Sequence, residues 1–254
     1  MLHVAVERYN GDTKELEETD MMSFANSDGG RHKEVSGGKE TLSGIRRLCA
    51  TPSICCALLL AFQWAADGAI PAGHVASHGL ERDMVNADGT GQGAGYFTFI
   101  EGIPGPLFVG LPSETTAFFT FTTATFSTIP IPNGNVTALI HPPGNFYVYL
   151  NPMPNGNWND FTSFAQGQLI AILNFGTTQD VSTGVVQTGY TSASLVASSA
   201  FDFRGRRFNF SDLFPHGVTI AFTVNPKPLN TGFPLIFSLG FTSFAIGAKT
   251  NQTE

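Results

Sequence analysis

From Tyr96 onward the sequence keeps a two-residue period that admits little besides β-sheet. Tyr96-Phe97-Thr98-Phe99-Ile100, Ala117-Phe118-Phe119-Thr120-Phe121-Thr122, Phe146-Tyr147-Val148-Tyr149-Leu150 and Val218-Thr219-Ile220-Ala221-Phe222-Thr223-Val224 all carry it. β-Branched and aromatic residues at alternate positions give a strand one face to bury and one to leave in water. Breakers separate these runs at short intervals: Pro104-Gly105-Pro106, Pro132-Asn133-Gly134-Asn135, Pro142-Pro143-Gly144 and Pro226-Lys227-Pro228. The pattern predicts an all-β domain over residues 96–254, either a single antiparallel β-sandwich or a closed β-barrel, and not alternating β and α units. One short helix fits, between Asp160 and Gln168. Twenty-one of the 23 phenylalanines lie in this region, so the interior is expected to be built mainly of phenyl rings.

The charges divide the chain. Residues 1–69 hold 17 of the 33 charged side chains, whereas residues 96–254 hold 12. Residues 1–45 are polar, rich in Glu, Lys, Gly and Ser, and lack an apolar period, the composition of a disordered leader. Arg46 and Arg47 then precede 19 uncharged residues, Leu48 to Ala66, followed by the small residues Gly68 and Ala69. A positive end, an apolar centre and a small-residue site form a secretory signal; the run is also long enough for an uncleaved signal anchor. Residues 46–69 are read as one or the other. Either directs the downstream chain outward, to a secreted, periplasmic or cell-surface location, with membrane contact only through residues 48–66 if the segment stays. Residues 70–95, with Gly89-Thr90-Gly91-Gln92-Gly93-Ala94-Gly95, read as a flexible linker.

Cysteines occur only at positions 49, 55 and 56, so the β domain is expected to stand without disulfides. The net charge of −7 supplies no electrostatic footprint for nucleic acid.

Two places could contact a ligand. In Phe146–Leu150, Phe146, Val148 and Leu150 share the core face, which turns Tyr147 and Tyr149 outward or, in a closed sheet, into a lumen. The loop after this strand contains Asn155-Gly156, suited to positive φ, then Trp158 and Asp160. Rings beside amides and a carboxylate suit a sugar or small planar ligand; the alternative is a turn whose tryptophan covers a sheet end. The second place is Phe201-Asp202-Phe203-Arg204-Gly205-Arg206-Arg207-Phe208-Asn209-Phe210, a hairpin whose four phenyl rings share a face and whose tip carries three of the five basic residues of the β region. Arg204, Arg206 and Arg207 could hold an anion, or keep a sheet edge from pairing with another chain.

Catalytic signatures are few. The chain has no G-x-S-x-G elbow, no phosphate-binding G-x-x-x-x-G-K-[ST] loop and no H-E-x-x-H. His141 and His216 each adjoin a proline at a turn, where exposure is expected, and neither a metal nor a cofactor site is indicated. Acid–base chemistry would fall to Glu101, Glu114, Asp160, Asp180, Asp202 or Asp212.

The segment Phe201 to Leu213, with the turns Pro132-Asn133-Gly134-Asn135 and Tyr149-Leu150-Asn151-Pro152, resembles uncharacterised exported bacterial all-β proteins. The resemblance implies an exported β domain and no particular activity. The sequence therefore leads to an exported, non-enzymatic binding or structural module for a small molecule or glycan. The other reading is a small barrel enzyme of the cyclase or isomerase type. The feature that separates them is whether ionisable side chains converge in a closed cavity.

Overall fold

The computed structural model describes residues 69–247. The polar leader and the apolar segment 48–66 lie outside the described residues.

Eight long antiparallel strands close into a barrel. In chain order they are β1 (Val75–Val85), β2 (Thr90–Ile100), β3 (Phe119–Thr123), β7 (Gly144–Leu150), β8 (Gln168–Phe175), β10 (Gln187–Ser198), β13 (Val218–Val224) and β14 (Leu235–Ala245). Neighbours run β13-β14-β1-β2-β3-β7-β8-β10, and the pairing of Gln187–Ala193 with Val218–Val224 closes the ring. Closure decides between the two expected architectures in favour of the barrel, and it leaves those eight strands no free edge.

Four further strands prolong the wall at one end. They are β4 (Phe126–Ser127), β5 (Ile129–Asn133), β6 (Val136–His141) and β9 (Thr178–Ser182). β6 runs into β7 through Pro142-Pro143, which cannot donate to a ladder, and β8 runs into β9 through Gly176-Thr177. The β6–β9 pairing continues the β7–β8 ladder past these bends, forming a lip over that end of the barrel.

The other end is plugged. The hairpin of β11 (Phe201–Phe203) and β12 (Arg206–Phe208) leads into the one-turn helix α1 (Phe210–Leu213), capped by Asn209, whose side chain accepts from the Ser211 N–H. Phe201, Phe203, Phe208 and Phe210 are all buried, so the four rings do share a face. That face packs on the barrel: the rings of Phe201 and Phe203 lie 5.8 and 5.0 Å from that of Phe119.

Between the ends, Phe97, Phe121, Phe146 and Phe241 form an aromatic layer across the interior. Centroids are 4.6 Å apart for the stacked pair Phe121–Phe146 and 5.2–6.0 Å for the edge contacts Phe97–Phe121, Phe121–Phe241 and Phe97–Phe241. Such a layer fills a barrel with few aliphatic side chains while keeping favourable ring geometry.

The first two strands correct one expectation. Residues 70–95 are not a linker: β1 and half of β2 lie within them, and the β domain begins at Val75. Gly91, Gly93 and Gly95 occupy alternate positions of a buried strand facing Val85, Asp83 and Glu81 of β1. Their role is room, not flexibility. A Cβ on Gly93 would collide with Glu81 Oε1 and lie 2.7 Å from Asp83 Oδ1; one on Gly91 would lie 2.6 Å from the Phe126 ring.

Candidate functional site

Above the aromatic layer, on the lip side, the barrel holds a cavity of about 300 Å³. Phe146 and Phe241 form its floor, and Phe126, Phe175, Phe222, Phe237, Leu139 and Leu239 contribute apolar wall. Strand parity places Glu81 and Asp83 on the inward face of β1, and both line the cavity with His141 of β6, Asp180 of β9, and Gln187 and Thr191 of β10. The bends matter here. His141 stands just before Pro142-Pro143 and Asp180 just beyond Gly176-Thr177, so the lip brings both over the lumen.

His141 and Asp180 form an ordered pair. His141 Nε2 lies 3.2 Å from Asp180 Oδ2, and its Nδ1 lies 3.3 Å from Thr128 Oγ1. A carboxylate only accepts, so Nε2–H donates to Asp180, and Nδ1 is engaged with the Thr128 hydroxyl, which can donate or accept. Gln187 Nε2 donates to the same Asp180 Oδ2 at 2.8 Å. Asp180 is 2% exposed, and its Oδ1 has no hydrogen-bond partner within the protein; nor has Thr191 Oγ1, also buried. Unpaired polar atoms at such depth are costly, which makes them pointers to a bound group.

Glu81 and Asp83 form the second pair and share a hydrogen bond. Burial pushes Glu81 well above the ordinary carboxylate range, reinforced by the Asp83 charge and by their hydrogen bond. Burial likewise pushes Asp83 up from 3.8 to about 6; Glu81's hydrogen bond and His141 oppose the rise, and the Asp180 charge adds to it. Both carboxyls therefore hold a proton more tightly than they would in water, Glu81 the more strongly displaced of the two. Two carboxyls whose surroundings separate their proton affinities can act as acid and base on one molecule.

The candidates from sequence lie elsewhere, with one exception. Tyr147 and Tyr149 point outward and are half-buried, while Phe146, Val148 and Leu150 face in. Trp158 packs on the outer face of β1 and β2: its ring lies 4.8 Å from Phe164, 6.0 Å from Tyr96 and 6.3 Å from Phe161, with the Arg82 guanidinium 4.4 Å above it. Asp160 caps the short 3₁₀ helix Phe161–Ala165, accepting from Thr162 N at 3.0 Å and from its hydroxyl at 2.6 Å. The Asn155-Gly156 step carries no positive φ; Gly156 is needed because a Cβ would lie 2.5 Å from the Glu114 carbonyl oxygen. This loop is a structured turn whose polar groups serve its own backbone.

The arginine tip sits on the plugging hairpin, at the end opposite the cavity. Arg204 and Gly205 both have positive φ (52° and 75°), as a two-residue hairpin turn requires. Arg204 donates to the Pro106 carbonyl at 3.0 Å and lies 5.4 Å from the Phe203 ring; Arg206 lies 5.3 Å from the Phe208 ring, and Arg207 stands opposite Asp202 across the hairpin. Of the acid–base candidates Asp180 alone lines the cavity.

Glu81 and Asp83 escape a sequence reading because the glycines opposite them suggest a linker. The usable signal is that Glu81, Asp83 and Val85 share one parity, as do Gly91, Gly93 and Gly95 ten residues on. His141 differs from its expected exposed position: its side chain is 19% exposed and paired.

No family model matches the chain, no curated protein matches it in sequence, and no solved structure matches it in fold.

Proposed function

We propose that the barrel is an enzyme that relocates a proton within one apolar small molecule, an isomerisation or cyclisation. The observation carrying this reading is the convergence of Glu81, Asp83, His141 and Asp180 in a phenyl-lined cavity. The non-enzymatic module expected first from sequence rested on sparse charge, yet three of the few carboxyl groups, Glu81, Asp83 and Asp180, line the lumen.

In this reading the Asp83 carboxylate takes a proton from a C–H or O–H of the substrate, and the electron pair left behind shifts along the substrate. The Glu81 carboxyl returns a proton at the new position. Transfer across the Glu81–Asp83 hydrogen bond then restores the starting state, so no co-reactant is consumed. Burial among apolar walls raises both proton affinities from the ordinary carboxylate range toward neutral pH, where general catalysis is most effective. His141 and Asp180, tied to each other, stand beside this pair in the same cavity. We also propose that the barrel works outside the cytoplasm, a reading carried by Arg46-Arg47 and the apolar run after them.

The test uses β,γ-unsaturated cyclic ketones in deuterated buffer, followed by ultraviolet absorbance and mass. Conversion to the conjugated ketone with uptake of one deuteron is expected, falling by about 10²-fold or more in Glu81→Gln and Asp83→Asn. Probes that bind the lumen and are recovered unchanged in form and mass would overturn the reading.

A further inference from the structure

We propose that the substrate class for this lumen is an apolar amine, held through its ammonium group by Asp83 and Asp180. The inference rests on the acid–base reading for the place of binding and deepens it by naming the chemistry of the ligand.

Charge balance is the first argument. Three carboxyl groups, Glu81, Asp83 and Asp180, line the cavity with one imidazole, and among the described lining residues there is no lysine or arginine. Buried charges are normally paired, because an unpaired one loses its hydration without compensation. The nearest arginine in sequence, Arg82, is directed to the outer face and stacks on Trp158. A carboxylate ligand would add a like charge, and a neutral ligand would leave the existing charge uncompensated. A cation offsets it.

Hydrogen-bond accounting is the second and independent argument. Asp180 Oδ2 already accepts from His141 and Gln187, whereas Oδ1 accepts from nothing although the side chain is 98% buried. Thr191 Oγ1 is likewise unpartnered. Both belong to residues lining the cavity; the carboxylate oxygen takes only a donor, and the threonine hydroxyl can accept one as well as donate. An ammonium group offers three donors and no acceptor. A Cβ on Gly189 would lie 2.7 Å from Oδ1, and the Phe222 ring closes over the same spot, so the absence of a side chain at Gly189 is what admits the carboxylate.

The walls supply the third argument. Six phenyl rings, those of Phe126, Phe146, Phe175, Phe222, Phe237 and Phe241, line the cavity. Ring faces attract cations most strongly when the group is desolvated, and they accommodate an apolar skeleton at the same time.

The experiment compares phenylbutylamine, phenylbutanol and phenylbutyrate, which share a skeleton and differ in the head group, by calorimetric titration of the wild type near neutral pH. The amine is expected to bind about tenfold or more tighter than the alcohol, and the carboxylate to bind more weakly than both. Asp180→Asn and Asp83→Asn should each remove most of the preference for the amine over the alcohol, with far-ultraviolet spectra and thermal melts reporting that each variant is folded. Phenylbutyrate binding as tightly as the amine, amine binding indifferent to both substitutions, or displacement of the amine by calcium would each overturn the proposal. Amine binding is an equilibrium property, so a lumen that selects the amine and exchanges no deuteron in any ketone would support this proposal and refute the acid–base reading alone.

Discussion

Replacing Asp83 by Asn should make the protein more stable at neutral pH. The folded state raises the Asp83 carboxyl from 3.8 to about 6, chiefly through burial. The folded protein therefore holds this proton more tightly than the unfolded chain does. Stability follows the difference in protons bound: the contribution is fully present below pH 3.8 and is lost as the pH rises through about 6. The gap amounts to about 3 kcal/mol at 1.36 kcal/mol per tenfold in proton affinity. Asparagine keeps the shape and has no charge to desolvate, so Asp83→Asn escapes that loss. For a domain of this size the gain corresponds to a rise of ~6–12 °C in Tm at neutral pH. The assay is a series of thermal melts of wild type and variant from about pH 4 to about pH 7.5, read as the difference between them at each pH, which cancels the other carboxylates. The curves should nearly meet at the acid end and separate steadily across the window. Parallel curves, or a variant that melts below the wild type at neutral pH, would refute the claim that burial of Asp83 is what sets its proton affinity. Loss of turnover alongside the gain would mark Asp83 as a residue kept for function at the expense of stability.

Two further substitutions test the supports of the site. Gly93→Ala places a methyl group against Glu81 Oε1, Asp83 Oδ1 and Thr123 Cγ2; overpacking should lower stability by about 1–3 kcal/mol, and the same change should separate the two carboxyls, seen as a downward shift of their titration by carbon-detected NMR. Trp158→Ala removes a half-buried ring from between Tyr96, Phe161, Phe164 and Arg82, and should cost about 1–3 kcal/mol in chemical denaturation while leaving lumen binding unchanged.

Local features of the fold were legible in the sequence. The Phe201–Phe210 hairpin declares itself because its ring positions and its Arg204-Gly205 turn are neighbours in the chain. The short helix after Asp160 does so because its cap and first turn are contiguous. Closure was not legible, since it depends on Gln187–Ala193 meeting Val218–Val224, a choice made by non-local pairing that a sandwich would also allow. The site failed for the same reason in sharper form. Gly91, Gly93 and Gly95 acquire meaning only once β1 lies beside them, and alone they resemble a flexible tract. His141 and Asp180 are 39 residues apart and meet only through the β6–β9 ladder. What the chain does advertise most loudly, Trp158 and the arginine tip, is occupied in packing a loop and finishing a plug.

Among the described residues the plug of β11, β12 and α1 closes one end of the barrel and leaves the lip end as the way to the lumen, and this has a kinetic meaning. Under the proposed acid–base reading, whatever leaves retraces the path of whatever arrived, so substrate and product would exclude one another and each should inhibit the other competitively. A reaction that splits one molecule into two would have to clear both fragments past the same lip before the next cycle. A rearrangement that turns one molecule into one molecule meets no such queue.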